Sequence, residues 1–245
     1  MIPTMAIPNK KSILQDGIIL WFAYHLFDFL RQVSLFQQIR NISKWIWKFR
    51  FKKKNPNASK EEHDKAWKEH RPFTFGFLFP ELWVIGNILL AIVGCIIIAN
   101  TSCMVGYYIF LVYAFLRTFE LFVYQINVLL FDPIKSGWTA YRIKSATRTV
   151  LLLICNIFEY VLWFSVVYIF VYKTKNQNID SLRVILESVT TLANIASPED
   201  ISDYEKGFEI TIIAHIESVI GIFMNIICLA RFISLLPPIQ SIDKN

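Results

Sequence analysis

Four long apolar stretches, separated by blocks of charge, limit what this 245-residue chain can fold into. Residues 82–100 carry no charge at all, and residues 107–131, 149–172 and 210–236 are of comparable or greater length. A bilayer core needs about 20 apolar residues at about 1.5 Å rise each, and each run meets that length. In lipid the backbone must satisfy its own hydrogen bonds, so these runs are expected to be helices and the fold class all-α, with four transmembrane helices. The composition agrees, being 55% hydrophobic and 16% aromatic with a mean hydropathy of +0.44. The N-terminus shows no short apolar core with a small-residue cleavage site, so the spans themselves are expected to direct insertion.

Orientation follows from lysine and arginine, which stay on the cytoplasmic side. Residues 1–81 carry fourteen Lys/Arg against seven Asp/Glu, and residues 132–148 carry Lys135, Arg142, Lys144 and Arg148 against Asp132 alone. The other connectors reverse the pattern: 101–106 is uncharged, and 173–209 has seven acids against four bases. Four crossings satisfy both, placing the N- and C-termini in the cytoplasm of a multi-pass cell-membrane protein. The net charge of +6 is then a topology signal and requires no nucleic acid.

The basic residues concentrate at 40–54 (RNISKWIWKFRFKKK), where Ile39, Ile42, Trp45, Ile46 and Phe49 recur at helical spacing between cations. Such a helix is expected to lie on an anionic leaflet, with Lys52, Lys53 and Lys54 each adding about 1 kcal/mol. Residues 13–30 are apolar but short and contain Asp16, His25 and Asp28, which suits an interfacial or half-buried helix better than a span. Residues 56–71 are polar, with Ser59 and Glu62 at capping-box spacing, and read as a solvated helix. His63 and His70 share a face of it without further metal ligands.

Catalytic signatures are missing. Cys95, Cys155 and Cys228 fall inside spans and Cys103 stands alone, so neither a disulfide framework nor a zinc site is expected. The chain has no GxSxG, GxGxxG, P-loop or HExxH pattern. An enzyme would have to draw on His215, Glu217 or Glu159 without a paired nucleophile or metal-ligand set. No enzymatic activity and no cofactor are expected.

Residues 180–209 point to a mechanism, because they are polar and acidic and run directly into the last apolar stretch. Leu182, Val184, Ile185, Val189 and Leu192 support about three helical turns, before Ala193-Asn194-Ile195-Ala196-Ser197-Pro198 breaks the pattern. From Glu187 to Ile195 the residues fit, without gaps, a pattern of pore-helix glutamate, paired threonines and a VGYG filter. The following helix ends in Ala230-Arg231-Phe232, similar to the close of inner helices. Over roughly 65 residues, 172–236, the chain resembles the prokaryotic two-helix potassium channels and the wider family of pore-loop tetrameric cation channels.

That resemblance implies a homotetramer conducting monovalent cations, with a re-entrant pore helix and loop between the third and fourth spans and no cofactor. By it, Thr190, Thr191, Leu192, Ala193, Asn194 and Ile195 are the selectivity filter, with Thr190 and Thr191 as inner ligands. Glu187 braces the filter from behind, and Glu199 and Asp200 sit at the outer mouth. Ala193 and Ile195 stand where the family has glycines, whose backbone angles L-residues resist. The expected filter is therefore wider than a potassium filter and weakly selective, with the Asn194 amide oxygen offered to a partly hydrated ion. The implied organisation is an amphipathic cytoplasmic or interfacial region at 1–81, a first helix pair with its basic linker at 82–148, a pore module at 149–236 and a cytoplasmic tail at 237–245. Membrane lipids, and a regulatory partner at the N-terminal region, are the expected contacts.

On the last span, Glu217, Gly221, Asn225 and Cys228 recur at spacings of four, four and three and form the expected pore-lining stripe. Gly221 serves there either as a gating bend or as a packing site. Arg117 and Glu120 can pair on one helix face, and Glu159 lies at similar depth on the next span, an expected intramembrane charge cluster. One arginine is too few for a voltage sensor, since each charge moved through 100 mV is worth about 2.3 kcal/mol. A non-conducting membrane scaffold or receptor subunit with a relic pore loop is the alternative reading of the same spans.

Overall fold

The computed structural model describes residues 17–56, 59–70, 72–76, 78–101, 104–131, 146–175, 180–195 and 207–235. Among them every regular element is helical. An N-terminal group comprises α1 (Ile18–Val33), α2 (Leu35–Lys54), α3 (Lys60–Glu69) and a 3-10 turn at Phe73–Phe75. The long helices are α4 (Phe79–Asn100), α5 (Met104–Ile126), which widens into a π-helical turn at Asn127–Phe131, α6 (Ala146–Thr174) and α8 (Phe208–Leu235). Between the last two lies the short α7 (Ser181–Leu192).

Helices α4, α5, α6 and α8 are long and apolar enough to cross a membrane, with mean hydropathies of 2.7, 1.5, 2.2 and 2.1, which makes this a multi-pass membrane protein by length and composition. Helix α4 starts before the uncharged run, because Pro80 sits in its first turn, where the missing N–H has no intrahelical partner to lose.

The bundle is arranged around α6, which touches α4, α5, α7 and α8. In its span 56% of the residues are buried, against 28–39% in the other three, so α6 is the axis and its neighbours keep an outward apolar face. Trp163, Tyr160, Tyr168 and Tyr172 on α6 are among the largest fully buried side chains, while Leu89, Ile109 and Ile226 on the outer helices are exposed. Lipid tails are as apolar as the core, so such outward residues cost nothing in a bilayer. Close packing of α4 depends on Gly94, where an added Cβ would lie 2.8 Å from the Phe110 ring and 3.4 Å from Val166.

The N-terminal helices pack on one end of this bundle. Neither α1 nor α2 contains a buried residue. Tyr24 and Phe27 set α1 against Phe131, and Phe36 stacks α2 on Phe79 beside Trp83. Ser34 separates the two helices and caps α2 by accepting from Gln37 N–H. Helix α3 begins with the Ser59/Glu62 capping box and lays Trp67 and His63 edge-on against Trp47. On the far side of α2, Ile42, Trp45, Ile46 and Phe49 remain exposed, as do Ile18, Ile19, Phe22 and Phe29 on α1. At 16 residues α1 is shorter than the four long helices, and residues 13–16 lie outside the described residues.

Candidate functional site

The structure concentrates buried polar groups at two levels of α6. The first holds α7. Asp180 caps this helix by accepting from Leu182 N–H, and its inward face is Val184, Glu187, Ser188, Thr191 and Leu192, at the i, i+3, i+4 spacing of one helix stripe. That face runs down the C-terminal half of α6: Tyr172 donates its hydroxyl to Glu187 Oε2 at 3.3 Å, and Ser188 Oγ lies 3.0 Å from the Val161 carbonyl oxygen.

Helix α7 ends in a Schellman-type cap. Asn194 takes the left-handed conformation with φ 56°, and the N–H groups of Asn194 and Ile195 donate to the carbonyls of Thr191 and Thr190, both at 3.0 Å. Asparagine tolerates this geometry better than most L-residues, and its side chain adds to the closure. Asn194 Nδ2 donates to Leu192 O at 3.2 Å and to Ser218 O of α8 at 3.3 Å. Beneath it lies Gly221, where a Cβ would stand only 2.0 Å from the Leu192 carbonyl oxygen. Gly221 is thus a close-approach site that lets the carbonyl end of α7 rest on the α8 backbone.

This geometry determines where the expected filter residues lie. Thr190 and Thr191 donate their hydroxyls back to the Glu187 carbonyl, at 2.9 and 2.8 Å. Thr191 and Leu192 are buried, and Ala193, Asn194 and Ile195 are exposed. Within one chain, residues 190–195 form a helix end and not an extended row of carbonyls. Ala193 stays right-handed at φ −73°, and Asn194 is the one non-glycine residue at positive φ among the described residues. Glu199 and Asp200, expected at the outer mouth, lie outside the described residues, as does Cys103.

Glu217 joins the same cluster. Its carboxylate is fully buried and accepts from Tyr168 Oη at 2.7 Å and Ser188 Oγ at 2.5 Å, with no basic partner among the described residues. The buried line of α8 is Ile210, Ala214, Glu217, Gly221, Met224 and Ile227, so Glu217 and Gly221 face α6 and α7. Asn225 is exposed and Cys228 half-buried. Eight residues at about 100° each turn Asn225 roughly 80° away from Glu217, so the sequence stripe divides between two faces. Asn225 instead shares a face with the exposed His215 and with the half-buried Thr211 and Ser218; the Ser218 hydroxyl donates to Thr191 O of α7 at 3.5 Å, and the His215 Nδ1 lies 2.7 Å from the Thr211 carbonyl oxygen. Polar residues at 211, 215, 218 and 225 recur at helical spacing, a signal present in the sequence beside the stripe chosen from it.

The second level is an ion-pair network. Arg117 grips Glu159 with Nε at 2.5 Å and Nη2 at 2.9 Å, and gives Nη1 to Glu120 Oε2 at 2.5 Å. Trp163 Nε1 donates to Glu159 at 3.3 Å, Phe36 N–H donates to Glu120 Oε1 at 2.6 Å, and the guanidinium lies 5.5 Å from the Trp83 ring centroid. All three charged side chains are buried and each is held by at least two groups, which is what buried ions require. Among the described residues no group of three or more His, Cys, Asp or Glu is placed to hold a metal ion. Comparison of the chain with family models, curated proteins and solved structures found no match.

Proposed function

We propose that this chain is the subunit of a membrane pore for monovalent cations, assembled from copies that meet around α7 and α8. The observation that carries the reading is α7 itself. At 12 residues it is about 18 Å long, too short to cross, and it descends beside α6 to end against Gly221, midway along α8. A helix of this kind is re-entrant, and its carbonyl end brings a partial negative charge to mid-depth. Glu187, beside Arg183, and Glu217, held by two hydroxyls, add acceptor oxygens to the same layer.

The uncovered face of α8 supplies the second support. Polar side chains at membrane depth are costly against lipid, so the exposed His215 and Asn225 need a neighbouring copy or a water column. A closed ring of four copies, with the basic N-terminal region and the C-terminus in the cytoplasm, turns that face inward. The conduit is weakly selective in this reading, since residues 190–195 offer no stack of carbonyl cages, and voltage acts weakly because Arg117 is locked in its network.

The non-conducting scaffold or receptor subunit is favoured by one specific feature: the carbonyls of Thr190 and Thr191 are consumed by the helix cap. Ion flux from proteoliposomes separates the two readings. The pore predicts sodium and potassium flux of similar size from the unaltered chain, cut about tenfold by Asn225→Trp, which blocks an exposed position without touching the buried core. No flux from the unaltered chain assigns the scaffold, and equal flux from both removes the Asn225 face of α8 from the conduit.

A further inference from the structure

A cavity of about 290 Å³ lies at the end of the bundle where α2 meets the starts of α4 and α6 and the end of α5. Its walls are mainly apolar, from Trp83, Val84, Leu121 and Leu152, but several polar groups face it. Four of these hold buried atoms with no hydrogen-bond partner among the described residues: Arg40 Nε, Trp83 Nε1, Asn127 Oδ1 and Asn156 Oδ1. Asn127 and Asn156 are 1% and 2% exposed, so bulk water does not serve them. Buried polar groups of native proteins are almost always satisfied, and a set of orphans around one cavity marks where partner atoms belong.

The chemistry of the orphans is specific. Arg40 and the Trp83 indole are donors, and Arg40 pairs with no acidic side chain among the described residues, its guanidinium lying 4.6 Å from the Phe75 ring centroid. Burial and the nearby Arg31 charge lower its proton affinity, a cost that an anion would offset. Glu120 also lines the cavity, but both of its oxygens are engaged, one by Arg117 Nη1 and the other by Phe36 N–H. The two asparagine oxygens are acceptors, which suit hydroxyl or ammonium donors. At about 30 Å³ per water-sized group there is room for roughly ten such groups, enough for a head group and a few methylenes.

We propose that this cavity binds the anionic head group of an amphiphile, a phosphate ester whose negative oxygens meet Arg40 and Trp83 and whose hydroxyl or ammonium meets Asn127 and Asn156. The apolar wall takes the first carbons of its chain. This site is independent of the pore reading, because it is formed by the N-terminal hairpin and α4–α6 and shares no residue with α7 or α8.

The test uses the full chain purified into nanodiscs of phosphatidylcholine with or without phosphatidylglycerol, and then released for native mass spectrometry. The expected result is one retained phosphatidylglycerol per chain, reduced about tenfold in Arg40→Gln and in Asn156→Leu, each judged only after circular dichroism shows unchanged helix content. A triple Lys52→Gln, Lys53→Gln, Lys54→Gln variant, altered on the exposed end of α2, keeps the adduct. Glycerol 3-phosphate added before release distinguishes the source: displacement of the lipid assigns the head group alone, and no displacement assigns the intact lipid. Equal retention in Arg40→Gln and the unaltered chain, or equal retention of phosphatidylcholine, overturns the proposal, leaving ordered water as the partner of the orphaned atoms.

Discussion

Toward its N-terminal half α6 carries Glu159, which is gripped from two directions by the Arg117 guanidinium, whereas farther along Tyr168 and Tyr172 meet Glu217 and Glu187 with hydroxyls. Both sets are buried in the same bundle, yet Arg117 closes on Glu159, while Glu187 has Arg183 only at 3.8 Å and Glu217 has no basic partner among the described residues. A buried ion pair is costly to break because the surviving charge has no solvent, while a carboxyl held by hydroxyls keeps most of its bonds when its charge is removed. The first level is therefore a structural clamp joining α5 to α6 and, through Glu120, to α2. At the second, Glu217 is held by hydroxyls alone among the described residues, which is the property a site near a cation path needs.

The largest expected effect breaks the clamp. Arg117→Met leaves Glu120 and Glu159 buried without their cation and should cost about 3–5 kcal/mol, read as a lowered midpoint of unfolding in detergent micelles. Gly221→Ala should follow, because its methyl group meets the Leu192 carbonyl; a loss of about 1–3 kcal/mol is expected. Hydrogen exchange should show that loss as faster exchange in α7, with α4 and α5 unchanged. Tyr168→Phe removes one donor to Glu217 and should cost about 1.5–3 kcal/mol on the same unfolding scale. The sharpest contrast is Glu217→Gln, whose amide oxygen accepts from Tyr168 and whose amide N–H donates to Ser188 Oγ, leaving that hydroxyl to the Val161 carbonyl, and which should cost no more than about 1 kcal/mol. A Glu217→Gln cost equal to that of Arg117→Met would erase the distinction between the two levels. Ser59→Ala, far from both, should lose about 1 kcal/mol locally, seen as fraying of α3.

Much of the architecture was legible because its signals are local. The uncharged run beginning at Leu82 and the Ser59/Glu62 spacing each depend on neighbours within one helix, and α4 and α3 formed there. The face of α8 was not legible in the same way. Glu217, Gly221, Asn225 and Cys228 make a reasonable polar stripe on paper, but the helix turns Asn225 out and Glu217 in. In a water-soluble helix polarity would mark the outside; here lipid and core are equally apolar, so polarity does not say which side is buried. Nor did the spacing of paired threonines show that their hydroxyls and carbonyls would be used by their own helix end. The cavity was invisible in sequence because Arg40, Trp83, Asn127 and Asn156 come from four different helical segments.

By itself, the order of residues determined that four helices are long and apolar enough to span, that amphipathic basic helices precede them, and that a short polar helix falls before the last. Hydropathy and helix capping act over a few turns, so a linear pattern carries them. Tertiary structure alone decided that α6 is the axis, that Gly221 seats the end of α7, that Arg117 closes on Glu159, and that orphaned donors and acceptors surround one cavity. Those outcomes depend on how far each helix rotates about its own axis and slides along its neighbours, which is set by close packing between residues distant in the chain.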